Sequence, residues 1–144
     1  MIAMFIIALV VQSSGAAAPL VQPGSWNVTS KVVDLTMPGL PGFLARMARG
    51  KSKAERKQIA AGQGIKDLLA PDPKAKCRIE SQSIAEGRYD QVLMCPQKSG
   101  EPMRITRTGS YDATGFTGQA IVNGRTSKGA LRIILDQRAS RAGT

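Results

Sequence analysis

The chain has 144 residues, with 20 Lys and Arg against 10 Asp and Glu, no His, and a formal net charge of +10. The absence of His excludes Ser-His-Asp and Cys-His catalytic arrangements from this chain, together with the common His-based metal sites. Such a basic surface favours anionic partners, and charge that merely maintains solubility is an equal alternative.

The chain begins with an uninterrupted apolar run from Met1 to Val11, followed by Gln12 to Gly15 and three alanines. This layout is typical of a cleavable export signal over residues 1–18, with cleavage near Ala16 to Ala18. A permanent anchor is the alternative, but the run is about half of the roughly 20 residues that a spanning helix needs. We expect a mature chain of about 125 residues that has no transmembrane segment and is periplasmic or secreted.

The first predicted strand lies within Ser25 to Asp34. It places Trp26, Val28, Ser30 and Val32 on one face, because side chains alternate across a strand. Trp26 is the only Trp. We predict that it is a core anchor, and a platform for a ligand is the alternative.

Residues 43–69 lack this alternation and predict a helical excursion after the first strand. The apolar face of a first short helix would consist of Phe43, Leu44 and Met47. The capping-box sequence Ser52-Lys53-Ala54-Glu55 predicts a second helix that ends near Ala61.

This excursion carries the strongest cluster of positive charge in the chain. The candidate anion-binding residues are Arg46, Arg49, Lys51, Lys53, Arg56 and Lys57. A solvated helical surface without a partner is the competing interpretation.

The segment between the two cysteines predicts a β-hairpin. A three-residue loop at Ala85-Glu86-Gly87 would place Ile84 opposite Arg88, Ser83 beside Tyr89 and Ile79 beside Leu93. The same register places Cys77 opposite Cys95, at a separation suited to a disulfide. The inner face would then carry Ile79, Tyr89, Leu93 and both cysteines, while the other face would carry Arg78, Glu80, Gln82, Arg88 and Asp90. A structural zinc site would need more ligands, and the spacing is not that of a redox Cys-x-x-Cys pair.

Further turn-bounded strands follow, and Asn123-Gly124 predicts a two-residue hairpin turn before a last strand that ends at Leu135. We therefore predict a mainly β (α+β) fold: a curved antiparallel meander of about six strands, for which a half-barrel is one possible form. It would make residues 19–136 a single domain. Residues 137–144 would be a loose tail.

The sequence contains few residues in patterns typical of catalysis or cofactor binding. No Gly-rich phosphate loop is present, and the carboxylates are mostly isolated. We expect no catalytic residues, no metal and no cofactor. Nucleic acid is not an expected partner, because aromatic residues that could stack on bases are scarce and the basic cluster contains none.

Several short sequences together resemble the bacterial domain of unknown function 3617 family. They are Pro23-Gly24-Ser25-Trp26 at the opening, Met37-Pro38-Gly39, the two cysteines and Gly109-Ser110-Tyr111. The family opening typically reads Pro-Gly-x-Trp before a strand. The resemblance implies a small exported bacterial protein, largely periplasmic in setting, and it carries over no site residue.

Three hypotheses of function follow. The first is a non-catalytic periplasmic protein that binds an anionic or amphiphilic envelope component such as a lipid. The second is a structural or interaction protein that docks a periplasmic partner protein through its basic segment. The third, a hydrolase that uses clustered carboxylates, has the least support in the sequence.

Overall fold

The computed structural model describes residues 20–98 and 100–143. The expected export signal at 1–18 lies outside the described residues. The seven strands are β1 (Gly24–Thr36), β2 (Ser52–Ile59), β3 (Arg78–Ala85), β4 (Arg88–Cys95), β5 (Met103–Asp112), β6 (Gly115–Thr126) and β7 (Gly129–Gly143). Two short helices, α1 (Gly42–Ala48) and α2 (Ile65–Leu68), and a 3₁₀ turn at Pro73–Ala75 complete the described elements.

All seven strands form one open antiparallel sheet in the order β2-β1-β7-β6-β5-β4-β3. The predicted mainly β class is confirmed, and β3 to β7 form the expected meander. β1 joins the meander by pairing with β7, and β2 adds a seventh strand at the edge beside β1.

The prediction of a helix from Ser52 to Ala61 is wrong, since residues 52–59 form β2. A helix here would have only one large apolar side chain, Ile59, to bury. As a strand, the segment pairs along eight residues of β1 and places Ile59 in the core, where only 5% of it is exposed. Tertiary pairing therefore overrides the local capping signal.

The predicted turn at Asn123-Gly124 is also wrong, because β6 continues to Thr126 and the chain reverses at Ser127-Lys128. Position 124 favours glycine because a larger residue would collide with Met103, and not because the chain turns there. A Cβ at this position would lie 2.7 Å from Cγ of Met103. The true turn ends at Gly129, which has a φ of +121° that favours glycine.

The β3–β4 hairpin differs from the predicted register near its loop. Glu86 and Gly87 both have positive φ and form a two-residue loop, so Ala85 pairs with Arg88, and Ile84 rather than Ser83 pairs with Tyr89. A bulge between Ile79 and Ser81 then restores the predicted pairing of Ile79 with Leu93.

The same shift brings Gln82, expected on the charged face, opposite Gln91 on the inner face. Ile79, expected on the apolar inner face, is 43% exposed. The predicted disulfide between Cys77 and Cys95 is confirmed, with a sequence separation of 18.

The prediction of a loose tail after Asp136 is wrong for residues 137–143, because Gln137 to Gly143 are the last seven of the fifteen residues of β7. This strand lies between β1 and β6 and is paired on both sides. The short sequence Gln137-Arg138-Ala139 alternates as a strand does, and only 3% of Ala139 is exposed. Ala139 packs into the core and Gln137 bonds to Arg107 and Ser30, so a segment with few apolar residues occupies an inner position in the sheet.

The core occupies half of the inner face of the sheet. The segment from 60 to 77 connects the two edge strands, β2 and β3, and its α2 packs Ile65, Leu68 and Leu69 against Trp26. These four side chains are at most 1% exposed. The remaining core residues are Val21, Val28, Ile59, Tyr89, Phe116 and Ala139. The inner face beyond this cluster is covered less completely. Leu93, Ala120 and Val122 are at most 7% exposed, whereas Val32, Ile105 and Leu135 are partly exposed.

Removal of the disulfide should lower stability. A closed loop of 18 residues restricts the unfolded chain, so we expect Cys77→Ala with Cys95→Ala to lose about 3 kcal/mol of unfolding free energy. Urea denaturation of oxidised and reduced wild type should show the same loss, and the double variant should not respond to reductant. Equal midpoints for oxidised and reduced wild type would contradict this prediction.

A second prediction concerns the facing glycines Gly109 of β5 and Gly118 of β6. The Tyr89 hydroxyl lies across both, and a Cβ at Gly109 would come within 2.6 Å of it. Gly109→Ala should therefore lower the unfolding free energy by about 1–3 kcal/mol through overpacking. Gly42→Ala is the matched control because a Cβ there meets no atom within 4 Å. Equal urea midpoints for the two variants would show that the close approach has no energetic consequence.

Candidate functional site

The part of the inner face beside the packed core forms a groove of about 550 Å³. Strands β1 and β4 to β7 contribute its floor, β2 forms one side, and residues 68–77 form the opposite wall. We call this cavity the groove. Its apolar floor residues are Val28, Val32, Leu93, Ile105, Ala120, Val122 and Leu135.

The register explains why these side chains meet. Val32 pairs with Leu135 across β1 and β7, and Leu135 pairs with Ala120 of β6. One row further along, Val122 pairs with Ile105. Directly opposed residues of neighbouring strands project to the same face, so these pairs produce a continuous apolar surface.

One charged side chain, Arg107 of β5, lies where this apolar surface meets the packed core, and only 6% of it is exposed. Its Nε donates to Oε1 of Gln137 at 2.8 Å, and its Nη1 donates at 2.9 Å to both Oε1 of Gln91 and the carbonyl of Leu69. Its guanidinium carbon also lies 5.6 Å from the ring centre of Phe116, a cation–π contact.

Further hydrogen bonds extend this network across the sheet. Nε2 of Gln91 donates to the Leu69 carbonyl at 3.0 Å and to Oε1 of Gln82 at 2.7 Å. Nε2 of Gln137 donates to Oγ of Ser30 at 3.0 Å. The network therefore joins β1, β3, β4, β5 and β7 to the segment that follows α2.

All the acceptors that Arg107 uses are neutral. Within residues 20–98 and 100–143, the ion pairs are Arg49 with Asp34 and Arg104 with Glu80, so no carboxylate pairs with Arg107. Burial lowers the pKa of Arg107, and the nearby Tyr89 and Glu55 partly oppose this effect. An arginine side chain nevertheless remains charged in proteins. A cation therefore lies at the edge of an apolar surface without an anionic partner in the described part of the chain.

Lys57 provides a second cation on the same side. It projects from β2, lines the groove, and donates from Nζ to the carbonyl of Ala70. Burial is the main cause that lowers the pKa of Lys57, Arg107 lowers it further, and Glu55 raises it.

The Tyr89 hydroxyl is buried and has no hydrogen-bond partner among the described residues. Burial raises the pKa of Tyr89, and Arg107 opposes this rise. Its ring meets Phe116 edge to face, with ring centres 5.4 Å apart. Tyr89 is thus part of the packed core, and it lies next to the polar network because Gln91 follows it by two residues in β4.

The structure divides the six predicted anion-binding residues. Lys51, Lys53 and Lys57 line the groove, whereas Arg56 is exposed on the other side of β2. Arg46 is exposed on α1, and Arg49 pairs with Asp34 at 3.1 Å. Within β2, strand geometry separates Lys53 and Lys57 from Arg56, because it sends alternate side chains to opposite faces. Trp26 lies in the core at 1% exposure and donates from Nε1 to the Gln22 carbonyl at 2.9 Å.

The sequence-based search missed Arg107, Gln91 and Gln137. Each occupies an inward position in an alternating strand: Arg107 follows Ile105 by two residues, Gln91 lies between Tyr89 and Leu93, and Gln137 lies between Leu135 and Ala139. A polar side chain in an otherwise apolar alternation is the signal that could have identified them. No group of three or more Cys, Asp or Glu residues suited to a metal occurs in the described ranges.

Comparison with known proteins finds one family. A family model with the description "Protein of unknown function (DUF3617)" matches residues 21–144, which confirms the resemblance seen at Pro23, Gly24 and Trp26. No curated protein and no solved structure gives a significant match. Across the described residues, no helix has the length and apolar character needed to cross a bilayer.

The lowered pKa of Lys57 leads to a prediction about pH. Between this lowered pKa and the ordinary value of 10.5, the unfolded chain holds a proton that the folded protein has lost. The Lys57 contribution to unfolding free energy therefore rises with pH across that window. Relative to Lys57→Met, the wild type should become more stable as pH rises from 7 to 10.5 in urea denaturation. A stability difference that does not change with pH would contradict the burial of the charge.

Proposed function

We propose that this chain, which belongs to the DUF3617 family of proteins of unknown function, is a non-catalytic periplasmic protein that binds an anionic amphiphile in the groove. The observation that carries the proposal is Arg107, a cation buried against an apolar floor with only neutral acceptors among the described residues. A lipid or fatty acid has the matching chemistry, since it joins a negative headgroup to an apolar chain.

The headgroup would occupy the end of the groove that holds Arg107 and Lys57. Removing a charge from water costs several kcal/mol, and amide and carbonyl oxygens offset only part of that cost. Among the described residues, Arg107 donates its hydrogen bonds from Nε and Nη1. Its third nitrogen, Nη2, is therefore available to a ligand oxygen. An anion at this position would supply the missing opposite charge through charge-assisted hydrogen bonds.

The apolar chain of the ligand would lie along the rows of Val32 with Leu135 and Val122 with Ile105. The groove volume of about 550 Å³ falls within the usual range for small-molecule sites, roughly 300–1,000 Å³. Val32, Ile105 and Leu135 are partly exposed, and an alkyl chain would remove their remaining surface from water. Burial of apolar area is a principal source of affinity for such a ligand.

The charges around the groove favour an anion. The lining includes four cations, Lys51, Lys53, Lys57 and Arg107, against two carboxylates, Glu55 and Asp72. Clefts lined mainly by one sign of charge raise the local concentration of the opposite ion and speed its association.

The periplasmic and non-catalytic parts of the proposal have separate support. The Cys77–Cys95 disulfide suits an oxidising compartment, where such bonds persist. The lack of His removes the commonest general base from this chain.

Binding of dodecanoate, compared with dodecanol, tests the proposal. We expect calorimetric titration below micellar concentrations to show that the wild type prefers dodecanoate. Arg107→Gln should weaken dodecanoate binding about tenfold to a hundredfold, because hydrogen bonds to a charged group contribute about 1.5–3 kcal/mol. Arg107→Lys retains the charge and should lose less affinity.

Two neighbouring substitutions on β7 serve as a matched pair, and they remain informative if the Arg107 variants fold poorly. Leu135→Phe narrows the groove and should reduce dodecanoate binding, whereas Ile134→Phe projects to the opposite face and should not. Equal binding of dodecanoate and dodecanol, or equal effects of the two β7 substitutions, would refute binding of an anionic amphiphile in the groove.

A further inference from the structure

Helix α1 has an unusual arrangement of side chains. Its small residues Ala45 and Ala48 are the partly buried ones, while Phe43 and Met47 are 57% and 62% exposed. Leu44 is 40% exposed, and no residue of the helix is fully buried. A surface helix normally directs its large apolar side chains towards the core. Here the large apolar side chains face solvent instead.

The helix is nevertheless tied to the sheet at its C-terminal end. The Gly50 amide donates to the Val32 carbonyl, and the Val32 amide donates to the Lys51 carbonyl, both at 2.8 Å. Arg49 adds the exposed ion pair with Asp34. These contacts hold α1 beside the groove, because Val32 and Lys51 also line the groove.

Positive charges predominate next to the exposed apolar side chains, and the neighbouring carboxylate of Asp34 is paired with Arg49. From 35 to 54 the chain contains the four cations Arg46, Arg49, Lys51 and Lys53 and no carboxylate. Apolar residues flanked by Lys and Arg are typical of elements that lie in the interface of anionic membranes. A second copy of this chain would bring a formal charge of +10 to the same cationic surface, so repulsion opposes self-association there.

We propose that α1 docks the protein on the surface of an anionic lipid bilayer. Phe43, Leu44 and Met47 enter the interfacial layer, and Arg46, Lys51 and Lys53 contact the headgroups. Phe43, Leu44 and Met47 lie outside the groove lining, although Lys51 and Lys53 belong to both surfaces, so insertion of the apolar residues does not depend on the groove holding a ligand. It also places the groove next to the phase in which amphiphiles reside.

A tryptophan at the tip of α1 gives a site-specific test. In Phe43→Trp, we expect vesicles of equal parts phosphatidylglycerol and phosphatidylcholine to shift the fluorescence to shorter wavelength and brominated lipids to quench it. Thr117→Trp, on an exposed position of β6, should show neither effect. Trp26 is 1% exposed and provides the same background in both proteins. The apolar run at 1–11 is also common to both, so a difference between them reports on α1.

Two further measurements sharpen the test. The double variant Phe43→Ser with Met47→Ser should partition onto the anionic vesicles about tenfold more weakly than wild type. The reason is that it lacks two apolar side chains that the bilayer would partly bury. Salt at 0.5 M should also reduce the Phe43→Trp signal, because it screens the contribution of the cations.

Three outcomes would overturn the proposal. The first is that the anionic vesicles do not change the fluorescence of Phe43→Trp. The second is that vesicles of pure phosphatidylcholine change it equally. The third is that light scattering shows a dimer that Met47→Arg converts to monomer. The last outcome would assign the surface to a second copy. Leu135→Phe, which narrows the groove, should leave the Phe43→Trp response unchanged, so failure of groove binding and failure of docking are distinguishable.

Discussion

The hydrogen bonds of Arg107 connect the parts of this structure that determine its shape. One guanidinium joins Gln91 of β4 and Gln137 of β7 to the Leu69 carbonyl, and through Gln137 it reaches Ser30 of β1. The segment that connects the two edge strands is thereby held to the inner face at a defined position. Because a buried guanidinium needs partners for its donors, the position of this segment depends on that network.

The consequence is a sheet with two different halves on one face. On one side of the network, α2 packs Ile65, Leu68 and Leu69 against Trp26 and the other core residues. On the other side, the side chains of Val32, Ile105 and Leu135 stay partly exposed and line the groove. Fully covering the inner face would need a longer connection than the one-turn α2 and the 3₁₀ turn provide. The incomplete cover is therefore a result of how short the helical segments are.

The two proposed surfaces combine charge with apolar area in different ways. In the groove the cation lies deep and its neighbours are apolar, an arrangement that suits one small ligand with a charged end. At α1 the apolar side chains project and the cations surround them, an arrangement that suits a planar surface of many headgroups. The two surfaces meet at Val32 and Lys51, where the end of α1 is bonded to β1.

Part of this architecture is readable in the sequence because it depends on local alternation. The inward face of β1, the β3–β4 hairpin, the Cys77–Cys95 bond and the mainly β class all follow from alternating side chains and local turn signals, which act over a few residues. The inward polar residues Arg107, Gln91 and Gln137 were visible in the same alternation but had no evident partners.

The pairing of distant segments was decided only in the tertiary structure. The sequence of residues 52–59 predicts the start of a helix, but the segment forms β2. As a strand it pairs with eight residues of β1, and Ile59 is buried in the core. Residues 137–143 lack apolar bulk but become the end of a central strand, because β1 returns to pair with them. By itself, the sequence determined the alternation, the Cys77–Cys95 disulfide and the excess of positive charge. The groove, its buried cation and the outward face of α1 depended on which strands became neighbours, since they arise from contacts between residues far apart in the chain.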